Sequence, residues 1–263
     1  SLLFENISEY DRKYGTSGQM LKNAKTLRDI VERPECINDA IIKAKFMLQD
    51  KATPKWKGVD VIPANSMMSA MPPLEDPDDE QSGLVILEAI NRIRRTRKHM
   101  YDYDYILFDL PPFLGELTIA VLAAVNYILV PASVDSYSLN GFGALNDTVN
   151  YLVNSGRNPD LRIIGIFFTM MQANSYYIGL YADAIDALGD TFMKSTIRQN
   201  VNARKANECG CPLCWLKRNA GITKDYIHLT EEVLRRCNLL KEDEHLPNLA
   251  DSDDNYTNYL LTR

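Results

Sequence analysis

The chain has 263 residues, 46% of them hydrophobic and 24% charged, a balance that excludes a disordered or fibrous polypeptide and allows a large core. Its formal charge of −6 excludes a surface coated with nucleic-acid-binding residues, although a local basic face still acts within a Debye length of about 10 Å. No apolar run reaches the ~18 residues that span a bilayer, and five cysteines without a secretion signal read as reduced thiols of a cytoplasmic protein.

In chain order, short apolar runs predict strands at residues 59–62, 105–109, 127–130 and 162–168, with a short one near 196–197. Between them the helical period predicts helices at 84–99, 117–125, 139–154 and 176–188, followed by a longer one at 224–240. This alternation is the spacing of βαβ units and predicts an α/β fold with a doubly wound, mostly parallel sheet and right-handed crossovers. Residues 72–79, with three prolines and four acids, read as a surface loop. One α/β domain is expected over residues 1–240, followed by an acidic C-terminal extension at 241–263.

The most informative stretch is Tyr103-Asp104-Tyr105-Ile106-Leu107-Phe108-Asp109-Leu110-Pro111-Pro112. An apolar strand that ends in one carboxylate before a double proline can hold a metal ion beside a phosphate, which is how a Walker B strand reads. Yet no G-x-x-x-x-G-K-[ST] string occurs, and the nearest glycine cluster, Gly15-Thr16-Ser17-Gly18-Gln19, lacks the lysine and a preceding apolar strand.

Basic residues form two clusters. Arg92, Arg94, Arg95, Arg97 and Lys98 read as a solvated helix end that complements the helix dipole. Arg198, Arg204, Lys205, Lys217, Arg218 and Lys224 form a second cluster later in the chain. Cys209, Cys211 and Cys214 would need a fourth ligand, from Cys36, Cys237 or a histidine, to hold zinc or an iron–sulfur cluster, and an ordinary loop is the expectation. His99, His228 and His245 are scattered without a metal spacing.

Residues 103–118, continuing through Phe113-Leu114-Gly115-Glu116-Leu117-Thr118, resemble the Walker B segment of ParA-type partitioning ATPases, relatives of MinD. Further segments match in order: Val61-Ile62-Pro63-Ala64-Asn65, Ile128-Leu129-Val130-Pro131, Phe168-Thr169-Met170-Met171, and Ile197-Arg198-Gln199-Asn200-Val201 followed by Gly210 and Pro212. The match is clearest over residues 59–237. Two departures stand out: the family's first strand, P-loop, helix and second strand have no counterpart here, and its Pro-Arg-Asn loop reads Arg198-Gln199-Asn200.

The resemblance implies a protein that, in complete form, is an ATP-dependent homodimer binding double-stranded DNA without sequence preference for chromosome or plasmid segregation. It further implies a ParB-like adaptor, a nucleoid-associated cytoplasmic location and no membrane contact. Asp109 would be the catalytic carboxylate, holding Mg²⁺ directly or through water. Asp109, Pro111, Pro112, Thr169, Arg198, Gln199 and Asn200 would bind the nucleotide. Arg198, Arg204, Lys205, Lys217, Arg218 and Lys224 would contact DNA. ATP and Mg²⁺ belong to the complete protein, and neither is expected to bind tightly to this chain alone, which lacks the Walker A lysines and is expected to be inactive by itself. Two alternatives are a non-catalytic interaction module derived from the family and a MinD-like membrane-positioning ATPase. The second would need a basic amphipathic C-terminal helix, whereas residues 241–263 are acidic.

Overall fold

The computed structural model describes residues 25–43, 60–64, 84–95, 103–133, 136–208 and 212–246. The loop expected at 72–79, Arg97, Lys98, His99, Cys209, Gly210, Cys211 and the tail beyond 246 lie outside the described residues.

The N-terminal part begins with α1 (Leu27–Glu32), opened by a capping box in which the Thr26 N–H donates to the Asp29 carboxylate at 2.7 Å. A 3₁₀ turn at Pro34–Cys36 leads into α2 (Ile37–Ala40), and β1 (Ile42–Lys43) pairs antiparallel with β2 (Asp60–Val61). The 59–62 run is therefore a short strand paired to its predecessor in an antiparallel ladder rather than a member of the parallel sheet. Next, α3 (Leu84–Arg95) packs Ala89 and Ile93 on Ile30, Ile37 and Ala40, and packs Ile86 and Ile90 on α4 (Glu116–Leu122), through Ala120 and Val121.

The central sheet is built from β3 (Tyr127–Ser133) and β4 (Arg162–Thr169), which pair in parallel from Tyr127 opposite Arg162 to Ser133 opposite Thr169. A third extended segment runs parallel along the far side of β4. The Met193 N–H donates to the Ile166 carbonyl at 2.7 Å, and the Ile197 N–H to that of Phe168 at 2.9 Å.

The crossover helix α5 (Ser136–Asn154) joins β3 to β4, and α6 (Ser175–Leu188) joins β4 to the third segment. Both lie on one face, where Ile166, Phe168 and Ala132 meet Phe142, Ala184 and Phe192, and where Ile128 and Ile163 meet Val149 and Leu152. After α7 (Val201–Glu208) and α8 (Leu213–Leu216), the long helix α9 (Gly221–Arg236) covers the other face, with Ile222 and Leu229 against Phe167, Met193 and Ile197. The sheet is thus covered on both faces, as the alternation of elements predicts.

A bulge makes this two-sided packing possible. The register steps from Ile128 opposite Ile163 to Leu129 opposite Gly165, so Ile164 is an extra residue in β4. Without it, alternation would turn Ile163 to the face opposite Ile166 and Phe168.

The run at 105–109 departs from expectation. Among the described residues it forms no strand ladder, and Leu107 is 91% exposed. An interior strand with its ligand edge in a continuous sheet, closed by direct pairing of its neighbours or by a borrowed strand, is not formed among the described residues. Strand formation needs a partner backbone as well as an apolar sequence, and among the described residues β3 pairs with β4 alone. Among the described residues no helix is long and apolar enough to cross a membrane.

Candidate functional site

Phe108 and Leu110 pack between α3 and α4 against Ile86, Ile90, Ala120 and Val121, which leaves the intervening Asp109 exposed. Among the described residues no hydrogen bond or ion pair engages its carboxylate. The exposed pair Pro111-Pro112 stiffens the turn that follows, and the Phe113 N–H donates to the Pro111 carbonyl at 2.8 Å. Thr118 Oγ1 then donates to the Phe113 carbonyl at 3.0 Å, tying the turn to the first helical turns of α4. The Phe113 ring lies over Gly115, where a Cβ would come within 2.6 Å of Cε2, so a larger residue there would push the ring aside.

Topology places this turn. The Asn158 amide at the entry to β4 donates to the carbonyls of Leu122 and Val125, at 2.8 and 2.7 Å. The end of α4 is therefore fixed beside the N-terminal edge of the sheet. Asp109 precedes the opposite, N-terminal end of that helix.

At the C-terminal edge the register brings three segments together. Ser133 stands opposite Thr169, whose Oγ1 donates to the Ala132 carbonyl at 3.4 Å. Met170 adopts a left-handed φ of 56° and turns the chain so that Met171 bridges Arg198, with the Gln199 N–H donating to the Met171 carbonyl at 2.8 Å. The side chains of Gln172 and Gln199 join at 2.8 Å, and the Asn200 side chain accepts from the Asn202 N–H at 2.8 Å. Thr169, Arg198, Gln199 and Asn200, named separately from the sequence, thus form one continuous edge.

The basic residues of the second cluster sit on α7 and around the start of α9. Arg204, Lys205, Lys217 and Lys224 are exposed and Arg218 is half-buried. Both segments pack on the same core, through Ala203 from α7 and Ala220 and Ile222 from α9. Arg198 differs from the rest, because its guanidinium forks onto Asp225 through Nε at 2.6 Å and Nη2 at 2.7 Å. That hydrogen bond, reinforced by the carboxylate charge, pushes the arginine pKa still higher. Nothing local in the sequence announces Asp225 as its partner, since 27 positions separate the two.

Among the described residues no group of three His, Cys, Asp or Glu side chains could hold a metal ion. Cys36 is buried and its thiol donates to backbone carbonyls of Asp29 and Arg33, so it is a packed side chain. His245 lies beside Glu231 at 3.2 Å.

Over residues 13–163, more than half of its length, the chain matches the sequence profile of the family described as AAA domain. The chain belongs to that family, in its ParA/MinD branch. It is 26% identical over 204 residues to the sporulation initiation inhibitor protein Soj of Bacillus subtilis, a match covering 76% of each chain. It is 30% identical over 139 residues to the chromosome partitioning protein ParA of Myxococcus xanthus, covering 51% of this chain and 48% of that one. The chain thus spans about half the length of one curated relative and three quarters of the other. Among solved structures, apo McdA from Cyanothece superposes with a TM-score of 0.62 at 17% identity, over 81% of this chain and 78% of that one. At that identity the likeness establishes the fold, the α/β architecture of this ParA/MinD branch.

Proposed function

We propose that this ParA-branch chain belongs to a partitioning ATPase: in complete form a homodimer that binds double-stranded DNA without sequence preference when ATP is bound and leaves it after hydrolysis. The observation that carries this reading is the continuous edge formed by Thr169 and residues 198–200, which leads directly into the basic helix α7. A nucleotide at that edge and DNA on the cations beyond it would share one segment of backbone. Stimulation by a ParB-like centromere-binding adaptor and a nucleoid-associated cytoplasmic location belong to the same proposal.

Asp109 fits Mg²⁺ or its water, because it is an exposed carboxylate that no described residue engages. Bound Mg-ATP would supply the phosphoryl group and the charge that the site must stabilise. Asp109 would position the ion or its water, the Pro111–Gly115 turn would hold Asp109 beside α4, and residues 198–200 would border the base. The groups that cradle β- and γ-phosphates in such sites are a glycine-rich loop and its lysine, and this sequence has no such string.

Calorimetry with Mg-ATP tests the reading on the 263-residue chain and on a longer chain carrying a family-like strand and phosphate-binding loop ahead of Ser1. The short chain should show neither tight binding nor hydrolysis above background, and the longer one should show both. In the longer chain Asp109→Ala should abolish hydrolysis. Tight binding by the short chain would overturn the claim that its phosphate site is incomplete. A longer chain that remains inert would favour the alternative of a non-catalytic interaction module, which draws on the exposed apolar run around Leu107.

A further inference from the structure

Arg198 stands at a seam between two regions. On one side the parallel ladder ends, where the Met171 N–H donates to the Ile197 carbonyl at 3.0 Å and the Gln199 N–H returns to Met171 at 2.8 Å. On the other side α7 begins at Val201 and carries Arg204 and Lys205. Asp225 on α9 takes three hydrogen bonds from this one residue: the backbone N–H at 3.1 Å, Nε at 2.6 Å and Nη2 at 2.7 Å.

The surroundings are shaped for this pair. The Asp225 side chain is only 12% exposed and is held against the protein, while the Arg198 side chain that forks onto it is 54% exposed. Gly221, at the first position of α9, makes room for the guanidinium, since a Cβ there would stand 2.6 Å from Nη1 and 2.9 Å from Cζ. In the same turn Thr223 Oγ1 donates to the Lys217 carbonyl at 2.6 Å, and Lys224 is exposed beside it. The start of α9 is therefore tied both to the approach of α7 and to the segment bearing Lys217.

We propose that Asp225 is a positioning residue that, through Arg198, holds α7 and residues 217–224 as one basic face for a nucleic-acid phosphate backbone. Arg198 then serves the face as its clamp and not as a phosphate contact. Two segments with separate mobility would each bring a few charges to a polyanion, whereas a clamped pair presents them at fixed spacing and loses less freedom on binding. The proposal rests on the DNA-binding reading above, and its test separates the two.

Asp225→Asn removes a negative charge next to the cationic surface, so electrostatics alone predicts tighter DNA binding. Positioning predicts the opposite: about tenfold weaker binding, the size of coupling usual for side chains in contact. Arg198→Lys keeps the charge but not the fork, and should weaken binding as Asp225→Asn does; a direct phosphate contact would tolerate it. The reversed pair, Arg198→Asp with Asp225→Arg, restores opposite charges across the seam and should recover part of the loss. Duplex-DNA titrations by fluorescence anisotropy, made in Mg-ATP on the longer chain that carries the phosphate-binding loop, with unfolding curves as a control on stability, provide the readout.

Hydrogen exchange on the chain without DNA supplies the independent arm. Asp225→Asn should speed exchange at the amides of Arg198, Gln199 and Ala203 while Ile166 and Phe168 keep their protection. Faster exchange together with no DNA binding by the longer, phosphate-loop-bearing chain in Mg-ATP would sustain the clamp and overturn the DNA reading. Unchanged exchange at those amides, or tighter DNA binding by Asp225→Asn, would overturn the clamp.

Discussion

Arg236 donates from Nη1 to the carbonyl of Ile164 at 2.8 Å, meeting the one residue that the bulge pushes out of register in β4. The same guanidinium reaches the carbonyls of Asp190 at 2.8 Å and Phe192 at 3.1 Å, and pairs with Glu232 at 3.0 Å. Asp225, Glu232 and Arg236 fall at i, i+7 and i+11, a single stripe of α9, and each bonds the segment between residues 190 and 198 or the bulge beside it. Polar side chains thus fasten α9 where its apolar face alone would allow sliding.

Arg236→Met keeps most of the side chain's bulk and should lower stability by about 2–3 kcal/mol, because several partly buried carbonyls lose a charged donor at once. Urea unfolding of the two proteins measures it. A loss under ~0.5 kcal/mol, the range of ordinary surface changes, would mean that water replaces the arginine freely.

Acid should release the same helix. Burial pushes the Glu232 carboxyl up, but hydrogen bonds from Ser195 and Lys194 and the Arg236 charge outweigh it, so its pKa falls below the usual 4.5. Glu231 is lowered in the same way: burial opposes, while the Leu246 N–H, His245 and Arg235 prevail. A folded pKa below the unfolded one means that the unfolded state binds protons first. The two carboxylates therefore contribute their full stability above the unfolded value and lose it as pH falls through the folded one. Unfolding midpoints should drop on the acid side of pH 4.5, and the double variant Glu231→Gln, Glu232→Gln should show a flatter drop from a lower starting point. Equal slopes would place the acid sensitivity in other groups.

What the sequence makes legible is set by how local the cause is. The runs that became β3 and β4 carry β-branched and aromatic residues, and α5 and α6 were found within a few residues because their apolar period is intrinsic. The run at 105–109 has equally strong local features, yet a ladder depends on a second backbone that no local pattern encodes. α7 escaped notice because Val-Asn-Ala-Arg-Lys-Ala-Asn-Glu has almost no apolar periodicity, and tertiary packing of Ala203 and Ala206 makes it helical. For the site, the edge residues were nameable, but the fork between Arg198 and Asp225 was not, because it joins elements brought together only by the fold.

Two adjacent residues of the 105–109 run should respond very differently to substitution. Leu107 is 91% exposed, so Leu107→Ser should change stability by no more than ~0.5 kcal/mol. Phe108 packs with Ile86, Ile90 and Val121, and Phe108→Ala should cost about 2 kcal/mol, less than the ~3–5 of a fully buried phenylalanine because it is only half-buried. Chemical denaturation decides it. Equal losses at both positions would show that Leu107 is covered in solution, as it would be if this run acquired a strand partner.

The DNA face is tested by charge removal in the longer, ATP-binding chain at several salt concentrations. Arg204, Lys205, Lys217 and Arg218 lie on the two segments flanking the Arg198–Asp225 fork, while the chain's acid runs fall elsewhere in the sequence, at residues 75–80, 242–244 and 251–254. Each phosphate that a cation neutralises releases condensed counterions, so log affinity falls linearly with log salt at a slope of about 0.9 per phosphate. Neutralising the four side chains together should lower affinity on every duplex sequence tested and flatten that slope in proportion to the phosphates left uncompensated. Neutralising Arg94, Arg95 and Arg97 should do much less, since a basic helix end is explained by the dipole it complements. An unchanged slope in the fourfold variant, or a larger loss in the threefold one, would move the DNA face to the end of α3.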